Sequence, residues 1–159
     1  MKTLVVYDSL YGNTRAIAQA IGDAIPGDVQ VLPVGQVDAG DLETVDLLVI
    51  GSPTHGAMPT EAIQRLVERT GPPARKGARA ATFDTRLTWF FLERWGGFAA
   101  PKIADTLEEK GWALAGQPGG FFVGGLKKGP LKRGEVDRAT AWAEGLIGSG
   151  RQVHEHPGV

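Results

Sequence analysis

The sequence predicts an α/β fold in which helices cover both faces of a parallel sheet. Short runs of β-favouring apolar residues alternate along the chain with segments whose apolar residues recur at helical spacing. Residues 45–50 are apolar almost throughout, which is typical of a central strand covered on both faces. Each right-handed crossover returns the chain so that the next strand runs in the same direction. Five such units therefore predict a doubly wound three-layer sandwich with a five-stranded parallel sheet.

The first half of the chain supplies three predicted strands and two predicted helices. Residues 4–7 and 29–34 form the first two strands, and the segment between them is a helix that Thr14 is placed to cap. Residues 45–50 form the third strand. Thr60 then begins the second helix, whose apolar residues share one face.

The second half continues the same alternation. Residues 78–83 form the fourth strand and residues 101–110 the third helix. A fifth strand runs from residue 112 toward residue 123, with a break at Pro118-Gly119. Apolar residues between 136 and 147 mark one face of a last helix.

Length and composition predict one globular domain. The 159 residues, 42% hydrophobic and 22% charged, suit one core but are few for two. We expect a single domain over residues 1–150 and a flexible C-terminal tail over residues 151–159. The net charge of -1 attracts neither nucleic acid nor an anionic membrane, and no apolar run has membrane-spanning length. A cytoplasmic location is expected, because the chain begins on a strand without a secretory signal.

The absence of cysteine limits the available chemistry. With no cysteine in the chain, disulfides, cysteine-ligated iron–sulfur clusters, zinc-thiolate sites and thiol nucleophiles are excluded. Any redox role must therefore use a bound cofactor. The sequence predicts neither catalytic residues nor a metal site.

The loop after the first strand is the first candidate binding site. In open parallel sheets, ligands bind outside the carboxyl ends of the strands where the strand order reverses, which directs attention to the loops after strands 1, 3 and 4. Residues 8–14 offer hydroxyl, amide and helix N-terminal N–H donors, contain Gly12, and include no Lys or Arg. These neutral donors suit a terminal monophosphate. The alternative is a capped helix start in which Gly12 serves only the turn.

Other phosphate-handling sites fail on the spacing of their residues. A Walker loop needs Gly-Lys-Ser/Thr at a helix start, whereas residues 124–128 have glycines and lysines in another order. A dinucleotide fingerprint needs three spaced glycines after the first strand, where only Gly12 is present. A response regulator needs an aspartate at the end of the third strand, where this chain has Gly51 and Ser52.

The loop after the third strand, taken together with the first loop, resembles a known protein family. Residues 51–59 are rich in turn formers and backbone donors. Together, Ser-Leu-Tyr-Gly-Asn-Thr after the first strand and Gly-Ser-Pro-Thr-His-Gly after the third resemble the flavodoxin family, in which the first segment grips the FMN phosphate and the second borders the isoalloxazine ring. The resemblance extends over residues 1–149. It implies a flavodoxin-like strand order 2-1-3-4-5 and FMN as the cofactor.

The resemblance also implies the residues that bind the cofactor. In the first loop these are the residues around the phosphate: Ser9, Leu10, Tyr11, Gly12, Asn13 and Thr14. In the second loop they are the residues along the flavin: Pro53, Thr54, His55 and Gly56. A peptide at or before Gly56 is expected to turn its carbonyl toward flavin N5 on reduction, which glycine makes sterically easy. The alternative for His55 is a solvent-facing loop histidine.

The segment after the fourth strand departs from the family pattern. It lacks the glycine-aspartate turn with a following tyrosine, so Asp84, Thr85 and Arg86 are expected to meet the pyrimidine or ribitol side of FMN. Trp89 is the candidate for stacking on the ring. The alternative is that Trp89 packs in the core with its neighbouring aromatic residues. A cation at Arg86 near flavin N1 would raise the midpoint potential for reduction to the anionic hydroquinone.

Three functions are compatible with the resemblance. The favoured one is an electron carrier, a monomer or weak dimer that exchanges electrons with a reductase and an acceptor protein. The alternative is a small FMN-dependent oxidoreductase of NAD(P)H/quinone or protoporphyrinogen type, for which the short loops leave little room to build a substrate pocket. The third is a flavodoxin-fold scaffold without FMN. The near-neutral net charge weakens the electrostatic docking that acidic carriers use.

Overall fold

One parallel sheet organises the computed structural model, which describes residues 1–87, 97–124 and 129–155. Its strands follow the order β2-β1-β3-β4-β5, and β6 also pairs with β4. This order confirms the predicted fold class. The strand bounds are β1 Lys2–Tyr7, β2 Asp28–Pro33, β3 Leu47–Pro53, β4 Arg79–Leu87, β5 Ala113–Leu114 and β6 Gly119–Val123.

The fifth position of the sheet is shared by two short strands. Ala80 in the first half of β4 pairs with Leu114 of β5, and Asp84 in the second half pairs with Gly120 of β6. Residues 115–118 leave the sheet between them. The interruption overlaps the predicted break at Pro118. This residue has no N–H to donate to a strand ladder.

Five helices of the described chain cover the sheet. Their bounds are α1 Asn13–Ala24, α2 Ala39–Glu43, α3 Glu61–Arg69, α4 Ala99–Glu109 and α5 Glu135–Glu155, with a 3₁₀ turn at Val34–Gln36. The sequence analysis missed α2, because five residues are too few to show helical periodicity. Its signal was local: Asp38 and Asp41 form a capping box at its start. The helical backbone of α5 continues through residues 151–155, which we expected to be a flexible tail; the division at residue 150 remains a prediction.

Two apolar layers lie on opposite faces of the sheet. On one face, Ile63 of α3 and Ile103 of α4 pack with Leu48 of β3. On the other face, Ile17 of α1 and Ala143 of α5 belong to the layer that includes the neighbouring β3 residues Leu47 and Val49. Successive residues of β3 thus face opposite layers, as period-two strand geometry requires. The near-continuous apolar stretch in this strand follows from its burial on both faces.

The two predicted helix caps have different outcomes. Thr60 caps α3, since its hydroxyl accepts a hydrogen bond from Ile63 N at 3.4 Å. Thr14 does not cap α1, because the residue at that position is Gly12, with φ of 89°. Thr14 is already inside the helix, and its hydroxyl lies 2.9 Å from the hydroxyl of Thr85.

Strand β4 extends four residues beyond its predicted end at Phe83. Asp84, Thr85 and Arg86 therefore lie in a strand, whereas the sequence analysis placed them in a loop. The charged residues suggested an early end. In the structure the two charges pair with each other, and β6 completes the hydrogen-bond ladder beside them.

Two kinds of feature are absent from the described residues. No helix among them is both long and apolar enough to cross a membrane. Residues 1–87, 97–124 and 129–155 also contain no group of three or more His, Asp or Glu residues placed to hold a metal ion.

Candidate functional site

A cleft of about 210 Å³ lies where β1, β3, β4 and β6 reach their carboxyl ends. This is the edge of the sheet at which the topology predicts a ligand. The residues that line the cleft come from five separate segments: Ser9, Leu10, Tyr11, Asn13, Thr14, Pro53, Thr54, His55, Gly56, Ala57, Thr85, Arg86, Leu87, Gly97, Phe98 and Val123.

The first loop is shaped to surround an oxygen atom. The backbone N–H groups of Gly12 and Arg15 both donate to the Ser9 hydroxyl, at 3.1 and 3.3 Å. Gly12 makes this curvature possible, because its φ of 89° belongs to the left-handed region that favours glycine. The loop leads into the N-terminus of α1, whose first turn contains no acidic residue. The positive end of the helix dipole therefore faces the loop, and no carboxylate of that first turn cancels it.

The second loop contains a tight turn at residues 55–58. The backbones of His55 and Met58 exchange two hydrogen bonds, each of 2.9 Å. The two central residues are both left-handed, with φ of 54° at Gly56 and 67° at Ala57. This geometry is that of a type I′ turn, which alanine occupies at a steric cost. Lys102 of α4 supports the turn, because its ammonium donates to the Ala57 carbonyl at 2.7 Å.

Three threonines connect the segments around the cleft. The hydroxyls of Thr14 and Thr85 lie 2.9 Å apart, and both side chains are buried. The Thr85 carbonyl accepts a hydrogen bond from Thr54 N at 2.9 Å. The Thr54 hydroxyl accepts from Ala99 N at 3.0 Å. The first loop, the second loop, β4 and the start of α4 are thus joined by hydrogen bonds between neutral groups.

Asp84 lies behind the cleft wall and does not line it. Its carboxylate is fully buried and accepts two hydrogen bonds from Arg86, at 2.7 and 2.9 Å, and one from Ala100 N at 2.8 Å. Burial raises the pKa of the Asp84 carboxyl, and the Arg86 guanidinium opposes that shift. The expectation that this side chain faces the cleft is corrected, since its three donors hold it in the interior.

Eleven of the fourteen predicted cofactor-binding residues line the cleft. Of the other three, Gly12 gives the first loop its shape, Asp84 is buried behind the wall, and Trp89 lies outside the described residues. His55 is partly exposed and lines the cleft. Whether these residues contact a cofactor remains a prediction.

Five lining residues were missed by the sequence analysis: Ala57, Leu87, Gly97, Phe98 and Val123. Val123 was predictable, because it ends the strand next to β4 and the carboxyl ends of parallel strands meet at one edge. Ala57 lay within the loop singled out as a site. Gly97 and Phe98 gave no signal, since they precede a helix and match no binding motif.

Apolar side chains are exposed at the cleft. Leu10 and Tyr11 line it and are 54% and 47% exposed, and Met58, at the end of the second-loop turn, is 42% exposed. Exposed large apolar side chains that cluster beside a pocket indicate a surface for ligand binding or protein contact. They leave the cleft with an apolar rim on the sides of the first two loops.

The donor set fits a flat aromatic ligand that carries a phosphate. In the first loop, two backbone N–H groups converge on the Ser9 hydroxyl at the start of α1, and such groups also suit an anion. The remaining wall is mainly apolar or backbone, with Pro53, Ala57 and Phe98 among its members. FMN combines these two chemical parts.

Comparisons with known proteins agree with the fold. Residues 4–71 match the family model described as "Flavodoxin domain". An archaeal flavodoxin superimposes with a TM-score of 0.72 at 23% identity, covering 97% of this chain and 100% of that chain. Flavodoxin 1 from Bacillus cereus gives 0.75 at 17% identity, covering 93% and 98%. A flavodiiron core from Synechocystis gives 0.73 at 18% identity, covering 96% of this chain and 36% of that one. No curated protein matches the sequence.

The described chain thus has the doubly wound α/β fold of flavodoxins. Residues 4–71 match the flavodoxin family model, in agreement with the resemblance of the first and third strand loops.

Proposed function

We propose that the protein binds one FMN in the cleft and acts as an electron-transfer flavoprotein. The observation that carries the proposal is the first loop, in which two backbone N–H groups converge on the Ser9 hydroxyl oxygen at the start of α1. The same cleft continues along the second-loop turn, where an aromatic ring could lie. The flavodoxin fold and the family match over residues 4–71 support the choice of FMN.

The two ends of the cleft would have different tasks. Ser9 and the N–H groups of Gly12 and Arg15 would hold the phosphate, with the helix dipole of α1 favouring its negative charge. Pro53, Thr54 and the turn at residues 55–58 would border the ring system. Bound FMN supplies one- or two-electron redox chemistry.

An electron carrier fits the lining of the cleft better than an enzyme does. Among the described lining residues, no carboxylate is present, and the ionisable side chains are Tyr11, His55 and Arg86. A carrier needs no acid or base, whereas most substrate chemistry does. The exposed apolar rim suits contact with other proteins, so we propose a reductase and an acceptor as partners. The cytoplasmic location remains a prediction.

The first test is a fluorescence titration of the flavin-free protein with FMN, with riboflavin as the ligand that lacks the phosphate. Tight FMN binding with much weaker riboflavin binding is expected. A matched pair of variants localises the phosphate site, because Gly12 and Gly77 have φ of 89° and 82° and each has open space where a Cβ would lie. Gly12→Ala should weaken FMN binding and leave riboflavin binding unchanged, while Gly77→Ala should change neither. Equal affinities for the two ligands would refute the phosphate site, and no binding would favour the scaffold.

A second test separates the carrier from the enzyme. The FMN-loaded protein is mixed anaerobically with NADH or NADPH, and flavin bleaching is followed by absorbance. A carrier is expected to bleach only when a flavodoxin reductase is added. Rapid bleaching by the nicotinamide alone would favour the oxidoreductase alternative.

A further inference from the structure

A buried ion pair lies at the part of the cleft wall that β4 contributes, with Arg86 in the wall and Asp84 behind it. Asp84 and Arg86 are two residues apart on one strand and therefore share a face of the sheet. Their ion pair is bidentate: Nε and Nη2 of the guanidinium each donate a hydrogen bond to one of the two carboxylate oxygens. Asp84 is fully buried, and the Arg86 side chain is 14% exposed where it lines the cleft.

The Arg86 guanidinium occupies a slot between Phe98 and Gly120. Its central carbon lies 3.6 Å from the centre of the Phe98 ring, which is the geometry of a cation–π stack. Gly120 is the register partner of Asp84 on β6, and any side chain there would overlap the guanidinium. Glycine at this position makes room for the planar group, and Phe98 itself lines the cleft.

Asp84 connects this slot to the start of α4. Its carboxylate accepts from Ala100 N, in the first turn of α4. Phe98, which directly precedes α4, is thereby held beside Arg86. The pair thus ties β4 to the start of α4 at the cleft.

We propose that Asp84 is a positioning residue for the cleft: it holds the Arg86 guanidinium flat against Phe98 and cancels its charge there. This wall is consequently rigid and close to electrically neutral. A lone cation at the wall would favour the more negative, reduced form of a bound flavin, and Asp84 opposes that effect. The electrical consequence rests on the proposed FMN binding, whereas the locking of Arg86 is a property of the chain alone.

The first experiment tests the locking in the flavin-free protein. Hydrogen exchange at arginine Nε–H groups is measured by ¹⁵N NMR. Arg138 is the internal comparison, because it forms the same two-pronged contact with Glu135 but is 52% exposed. In the wild type, Arg86 should exchange more slowly than Arg138. Asp84→Asn should accelerate Arg86 exchange by about tenfold or more, since a charge-assisted hydrogen bond is lost.

Two further variants separate the locking from a general loss of stability. Asp46→Asn removes a carboxylate that accepts from Lys2 N and pairs with Arg75 at the opposite end of the sheet, and should leave Arg86 exchange unchanged. Gly120→Ala keeps both charges but fills the slot, and should accelerate Arg86 exchange. Unchanged Arg86 exchange in both Asp84→Asn and Gly120→Ala would overturn the proposal.

The second experiment tests the charge cancellation in the FMN-loaded protein. Asp84→Asn should shift the midpoint potential for the second electron upward, and the double variant with Arg86→Gln should return it toward the wild-type value. Asp46→Asn should leave it unchanged. A downward shift or no shift in Asp84→Asn would overturn the electrical part of the proposal. A wild-type protein that does not bind FMN would refute the proposed function instead, and the exchange experiment alone would then decide the role of Asp84.

Discussion

Replacing Ala57 by glycine is expected to stabilise the protein, which is the reverse of the usual effect of glycine. Ala57 has φ of 67° in the second-loop turn. A left-handed conformation costs a non-glycine residue about 1–2 kcal/mol. The greater flexibility of glycine in the unfolded chain costs about 0.4–1 kcal/mol. The free energy of unfolding should therefore rise by roughly 0.5–1 kcal/mol, since relief of the strain exceeds the loss of entropy.

Thermal unfolding followed by circular dichroism measures this change. For a chain of this size, the expected gain corresponds to an increase in Tm of about 2 °C. Ala141 is the matched control, because it is exposed and lies in ordinary helical conformation in α5. Ala141→Gly should lower the free energy of unfolding by about 1 kcal/mol. If Ala57→Gly lowers Tm as Ala141→Gly does, Ala57 is not strained and the type I′ assignment is wrong.

Three further predictions concern the cleft and its surroundings. Gly56→Val should reduce the separation between the two midpoint potentials of bound FMN, because a β-branched residue resists the peptide rotation that φ of 54° allows glycine. Lys102→Met should accelerate amide exchange at His55 and Met58, since the bond to the Ala57 carbonyl is lost; proton exchange NMR measures this. Glu135→Gln should lower stability at neutral pH but not in acid. Burial acts to raise the pKa of Glu135, but bonds from Arg138 and Phe122 N outweigh it and hold that pKa below its ordinary value of 4.5.

Each of these predictions has a control on a similar group. Gly77→Val introduces the same strain away from the cleft, and an equal change in the midpoint potentials would contradict the role of Gly56. Lys110→Met removes a similar lysine tether, from the end of α3, and should leave exchange in the turn unaltered. For Glu135, the sign follows from a lowered native pKa: the stabilisation is present above the unfolded value and is lost as pH falls through the native one. Glu61→Gln affects an exposed pair and should show little pH-dependent difference from the wild type.

The fold was predictable because its signals are repeated along the chain. Alternating strands and helices imply parallel pairing whatever the exact bounds, so an error of four residues at the end of β4 did not alter the strand order. Leu47 to Ile50 illustrate the strongest signal, since burial on both faces leaves no polar position. The short α2 carried only a cap, and a cap without periodicity does not define a helix.

The site was predictable where it consists of contiguous loop residues and unpredictable where it depends on tertiary pairing. The first two loops adjoin the strands whose carboxyl ends meet, so topology alone brings them together. Asp84 and Arg86 appeared to be separate ligand-facing charges, because sequence does not show which charges neutralise each other. Phe98 lies in the wall and stacks on Arg86, a contact between residues twelve positions apart that no local pattern shows.

The hydrogen bonds among the threonines explain how neutral loops can form a defined anion site. A lysine or arginine attracts a phosphate from a distance, whereas neutral donors must already be in place to bind it. The Thr14–Thr85 contact fixes the start of α1 to β4, and Thr85 fixes Thr54 of the second loop. The one cation among the described lining residues, Arg86, is already paired, so the described part of the cleft relies on oriented backbone dipoles rather than on net charge. Such a cleft should discriminate ligands by the position of their phosphate more than by their total charge.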